Sequence, residues 1–194
     1  MNKNVYVVGF VLFIITMLIF FGMYFFGMNV NYFNNSMLIN AFVFPLIYTF
    51  VAFFSVNSAK KQQNYMSFRN AFGRAFKPMF LGGLLSILFM YFFLNFVDSD
   101  AKNLLNYQYV ERQKSELNKE YQSAKKILAK DQDQKELDEK YRERLASFSP
   151  EMVKDKDMFT FRQFSYYFAA ILVFYVILST FFGSFFRSRI PENS

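Results

Sequence analysis

The chain contains no cysteine and no histidine. Disulfides, thiolate nucleophiles, zinc–thiolate sites, imidazole metal ligands, histidine general bases and histidine-ligated haem are therefore excluded. With nothing to oxidise, the redox compartment is left unmarked. Tryptophan is absent too, so 30 Phe and 13 Tyr carry the aromatic content. Charge is missing from four long stretches: Val5–Gly27, Met37–Val56, Met79–Val97 and Gln163–Phe186 hold no Asp, Glu, Lys, Arg or His. A helix needs roughly 20 apolar residues to cross the hydrocarbon core of a bilayer. The expected fold is an all-α polytopic membrane protein with four transmembrane helices.

There is no Gly-rich phosphate loop, nucleophile elbow or paired-histidine zinc motif. Intramembrane acids usually mark proton- or sodium-coupled transport, and none lies deep in a run. No catalytic residue, cofactor or metal site is expected. Asn40, Tyr91, Asn95 and Tyr175 are the polar residues that could line a neutral pathway. The first run, with Lys3 before it, is longer than the apolar core of a signal peptide, and no small-x-small cleavage site follows it. It is expected to remain as a span.

The loops orient the spans. Lys3 precedes the first run, and Met28–Ser36 is uncharged. The second connection, Asn57–Pro78, carries Lys60, Lys61, Arg69, Arg74 and Lys77 with no acid, and Arg187 and Arg189 follow the last run. Lys and Arg near span ends stay on the cytoplasmic side. Both termini are therefore expected in the cytoplasm and 98–158 in the periplasm, across a bacterial inner membrane. The acids Asp98, Asp100, Asp155 and Asp157 flank that long segment and mark the outer surface. The net charge of +7 sits on the inner face. Positive-inside topology and attraction to anionic headgroups account for it, and no nucleic-acid partner is expected.

Finer features follow residue type and spacing. Met28–Ser36 reads as an Asn-rich polar turn. Pro45 should kink the second run, with Asn40 and Thr49 placed to satisfy freed backbone groups. A gating hinge and a static kink are both open there. Phe68, Phe72 and Phe76 share one face of a helix over 62–77, with Arg69, Arg74 and Lys77 as cations. Such a helix lies in the membrane surface, rings in the acyl boundary. Pro78 then suits the first turn of the third span, where the chain can bend. Gly82/Ser86, Ser165/Ala169 and Ser179/Gly183 have the small-xxx-small spacing that lets helices approach closely. Arg162 can snorkel to the outer interface.

Outside, 101–129 lacks Gly and Pro and spaces Val110, Leu117, Tyr121, Ala124 and Leu128 as one weak stripe, interrupted by Lys114. Asp133 with Glu136 reads as a capping box for a second helix over 134–147. Ser149-Pro150-Glu151 reads as a further helix start. The expected element is an external helical hairpin. Tyr121, Leu128, Tyr141 and Leu145 are its candidate seam or partner-contact residues.

The stretch SFRNAFGRAFKPMFLGGLLSILFMYFFLNFVDSD resembles a family of four-span bacterial membrane proteins of unknown function, found mainly in bacteroidetes. There a basic, Phe-bearing segment leads into a third span that ends in an acidic motif. A long helical insert and a fourth span with a basic end follow, as in FFGSFFRSR here. The chain departs in Val97-Asp98-Ser99, where members often place Pro after the Asp. The resemblance implies an inner-membrane location and adds no mechanism. The functional expectation is a non-enzymatic accessory or scaffold subunit that meets a protein partner through its external helices. A transporter-like or lipid-handling protein with a cavity among the spans is the alternative.

Overall fold

A computed structural model describes residues 4–127, 131–149 and 157–188. It is all-α, with six helices among the described residues. They are α1 (Val5–Gly27), α2 (Tyr32–Lys60), α3 (Phe68–Val97), α4 (Ser99–Ile127), α5 (Asp131–Ala146) and α6 (Phe161–Phe186). Four of these, α1, α2, α3 and α6, are long and apolar enough to cross a membrane.

The spans outrun the apolar runs that reveal them. The polar Asn34, Asn35 and Ser36 are helical, so the first connection shrinks to four residues, 28–31. Asn29 closes that turn: its side chain accepts from the Asn31 amide at 2.8 Å and its carbonyl from the Tyr32 amide at 3.0 Å. The segment expected as a separate helix over 62–77 is helical only from Phe68. It enters the third span without a break at Pro78. Ser67 starts the helix by accepting from the Asn70 amide at 3.2 Å, the usual N-cap arrangement.

Two prolines are absorbed in different ways. Before Pro45, Ile39–Val43 forms a π turn, in which the Phe44 amide reaches back to the Ile39 carbonyl. The wider turn accommodates the residue that cannot donate. Asn40 and Thr49 do bond the backbone, but at the carbonyls of Ser36 (2.8 Å) and Pro45 (2.7 Å), each one turn before its own side chain. Pro78 leaves the Arg74 carbonyl without its helical donor. Ser55 of α2 supplies one from outside, at 2.7 Å.

The central helix is α3, which packs along α6, α1 and α2. Its glycines set the approach. A Cβ built on Gly82 would lie 2.9 Å from the Gly9 carbonyl of α1. One on Gly83 would overlap the Tyr175 hydroxyl of α6. Tyr175 stacks on Tyr48 at 5.4 Å, so α2, α3 and α6 meet around two parallel rings. Both rings are buried, so Tyr175 fills the bundle rather than lining a pathway. Toward the α4 end of the bundle, Phe20 and Phe21 of α1 meet Phe93 of α3 edge to face, at 5.5 and 5.3 Å. Many Phe rings thus interlock helices, while Phe26, Phe42 and Phe54 are exposed.

Candidate functional site

Asp98 carries the chain from the membrane bundle into α4. Its Oδ1 accepts from the Asp100 and Ala101 amides at 3.0 Å each, which starts the helix. Its Oδ2 accepts from the Tyr24 hydroxyl of α1 at 2.6 Å. The Tyr24 hydroxyl first, then the Ala101 and Asp100 amides, hold the carboxyl below its ordinary value against the opposing effect of burial. The acid that marks the outer surface in sequence is also a cap and a fastening.

Three further residues of α4 repeat the fastening. Lys102 donates to the Asn95 side chain at 3.2 Å and faces the Asp157 carboxylate at 3.4 Å. Asn106 donates to Asp157 at 2.8 Å and accepts from the Met158 amide at 3.0 Å. Gln108 bridges to α2, accepting from the Phe33 amide at 2.7 Å and donating to the Asn29 carbonyl at 2.8 Å. Asn95 also donates to the carbonyls of Tyr91 and Phe159, at 3.0 and 2.9 Å. It is a structural tie rather than a pathway residue. Ala101, Leu105, Tyr32, Leu94 and Phe164 close an apolar cluster beneath these bonds.

The far half of α4 pairs with α5. Tyr121 and Tyr141 stack at 4.1 Å across the two helices. The Tyr121 hydroxyl donates to Asp138 at 2.7 Å and accepts from Lys125 at 2.9 Å. Two sequence candidates are thus the hairpin's own seam. Leu145 is 39% exposed and remains available, and Leu128 lies outside the described residues, as do Arg189, Asp155 and the 150–151 helix start. Asp133 is inside α5, which begins at Asp131, so it is not a cap. In a segment this acidic, the capping pattern arises without a boundary. Lys114, which interrupts the stripe, turns outward to Glu111 at 2.9 Å.

The opposite end of the bundle is built differently. The Ser188 amide donates to the Met66 carbonyl at 2.8 Å, and the Met66 amide donates to the Ser188 hydroxyl at 3.0 Å. The 61–67 connection is thereby clamped to the end of α6, with Met66 fully buried. Lys60 lies over the Phe186 ring at 5.5 Å. Lys60, Lys61, Arg69 and Lys77 are exposed, and Arg74 is half-buried. The rings expected in the acyl boundary have protein neighbours. Phe68 covers Gly183 of α6, and Phe76 continues through Phe80 to Phe168.

A groove of about 720 Å³ opens where α6 begins. Tyr109 of α4, Asp157 before α6, and Arg162, Gln163, Tyr166 and Tyr167 of α6 line it. No signal in sequence joins Tyr109 to α6, more than 50 residues away. Arg162 donates through Nε to the Tyr166 hydroxyl at 2.9 Å and lies over that ring. Burial acts to raise the Asp157 carboxyl. The Asn106 and Phe159 N–H groups and the Lys102 ammonium together outweigh it, so its value is lowered.

Comparison with curated proteins and with solved structures gave no match. One family model matches, over residues 8–188, and it is described as "Protein of unknown function (DUF4199)". The match takes in all four apolar helices and the α4–α5 hairpin, so the chain belongs to the DUF4199 family.

Proposed function

We propose that this protein is a non-enzymatic accessory or scaffold subunit of the bacterial inner membrane, with the α4–α5 hairpin as its partner-recognition element. One observation carries the reading: the hairpin is fastened at its base and spends its own rings on an internal seam. A lever of that construction holds a fixed pose above the bundle. Its α4 alone is about 43 Å long at 1.5 Å per residue. Pre-ordered elements lose less freedom on binding, which favours recognition by a presented helix pair. The reading places both termini in the cytoplasm and the hairpin in the periplasm. The inner cations Lys60, Lys61, Arg69, Arg74 and Lys77 then face anionic lipid headgroups, each worth about 1 kcal/mol near such a surface.

Orientation is tested first. The chain lacks cysteine, so Asn64→Cys and Ser123→Cys each give a single thiol. In intact spheroplasts an impermeant maleimide should label the Ser123 variant and spare the Asn64 variant. The opposite pattern reverses the topology. Function is tested by replacing 114–146 with a short flexible linker, which keeps Lys102, Asn106 and Gln108 at the base. Membrane insertion should persist, while co-purification of the protein partner and the associated phenotype are lost. Full complementation by that variant would sink the hairpin reading.

A further inference from the structure

We infer that the groove at the head of α6 seats the phosphodiester headgroup of one outer-leaflet phospholipid, with Arg162 as the anion ligand. The groove combines a cation, an amide and three tyrosines in a volume of about 720 Å³. Guanidinium carries five N–H donors in a planar fork that suits phosphate oxygens. The bond to Tyr166 uses Nε alone. Among the described residues no carboxylate pairs with Arg162, whereas Asp157 is already matched by Lys102. The charge left for a ligand is therefore that of Arg162, which selects an anion. Gln163, Tyr109, Tyr166 and Tyr167 line the same groove and carry neutral donor groups.

The continuation of the groove favours a lipid over a soluble phosphate ester. From Arg162 one face of α6 descends through Tyr166, Ala169, Ala170, Val173 and Ile177, at helical spacing. All of these are exposed, with Val173 at 59% and Ile177 at 63%. The Ser165/Ala169 pair, expected from its spacing to pack helices, faces outward instead. Its small side chains, between the larger exposed Tyr166 and Val173, define the trough assigned to an acyl chain. A headgroup in the groove and an acyl chain in the trough would occupy one continuous surface. This inference uses the outward orientation only to assign the leaflet. It does not depend on the partner reading, because the 114–146 replacement leaves every groove residue in place.

The test uses the full chain, delipidated in mild detergent and examined by native mass spectrometry. Phosphatidylglycerol and a neutral diacyl glycolipid with the same chains are titrated separately. Wild type should hold one phosphatidylglycerol at concentrations where the glycolipid does not bind. Arg162→Gln should weaken that retention roughly tenfold, the loss of one charge-assisted contact. Ala169→Leu fills the trough without touching the groove, and should weaken retention even if the Arg162 variant fails to fold. Soluble glycerophosphoglycerol should not compete. Equal retention of both lipids overturns the phosphodiester seat. So does wild-type retention by both variants, or by Ala169→Leu alone should Arg162→Gln not fold. Full competition by the soluble ester overturns the lipid assignment.

Discussion

Gly82→Leu should prevent assembly of the four-helix bundle, and Gly82→Ala should destabilise it by about 1–3 kcal/mol, the usual cost of overpacking a tight contact. The reason lies in which atom blocks the added carbon. At Gly82 the nearest atom is the Gly9 carbonyl oxygen at 2.9 Å, part of a helix backbone. A backbone cannot rotate away as a side chain can, so α1 and α3 must separate along their contact. In lipid, helices associate through close packing rather than hydrophobic drive, which makes such separation costly. Gly22 provides the control within α1, because nothing lies within 4 Å of its Cβ position. Gly22→Ala should leave stability unchanged or raise it by up to about 1 kcal/mol through helix propensity. Unfolding of the full chain in mixed micelles, followed by the loss of ordered structure, measures all three variants. Equal effects at Gly82 and Gly22 would mean that the α1–α3 crossing is not close-packed.

That contact shows where the sequence is legible and where it is not. Gly82 stands out in sequence through its spacing from Ser86, yet Ser86 turns out to bond back to the Gly82 carbonyl at 2.7 Å, within its own helix. The partner of Gly82 is Gly9, which has no small residue one turn away to flag it. Interhelical pairing depends on rotation and depth, and neither is written in local spacing. Gaps in charge, by contrast, report directly on the solvent, so all four spans are legible. Their ends are less so, because hydropathy marks where lipid begins rather than where hydrogen bonding stops. The helical Asn34–Ser36 turn and the continuous passage through Pro78 both follow from that difference. Asp98 is legible as the acid that ends the third apolar run, but its bond to Tyr24 joins residues 74 apart and needs the packed bundle. In the hairpin, Tyr121 and Tyr141 are visible as candidate seam or contact residues. That they meet each other, rather than a partner, follows from the antiparallel register of α4 and α5.

Ser55→Ala should cost about 1–3 kcal/mol, the penalty for removing a donor from a part-buried backbone carbonyl. The bond it removes is the one that makes Pro78 tolerable inside α3. An interior proline deprives the carbonyl one turn back of its partner, and here that carbonyl belongs to Arg74. Pro78 is among the most completely buried side chains, so water has poor access to the gap. The hydroxyl of Ser55, itself buried in α2, fills it at 2.7 Å. The same bond therefore caps a broken turn of one helix and fastens it to its neighbour. Pro78→Ala restores an amide at position 78 and gives Arg74 an intrahelical donor. Once that donor exists, loss of the Ser55 hydroxyl matters less. In a double-mutant cycle the Ser55→Ala penalty should shrink by at least about half in the Pro78→Ala background. The readout is unfolding free energy in mixed micelles, and Thr49→Ala serves as the comparison. Thr49 also bonds a carbonyl, that of Pro45 at 2.7 Å, but one on its own helix with an ordinary turn around it. Its penalty should be smaller than that of Ser55 and independent of residue 78. Additive effects of Ser55→Ala and Pro78→Ala would show that the hydroxyl does not compensate for the proline. The α2–α3 fastening would then rest on side-chain packing alone.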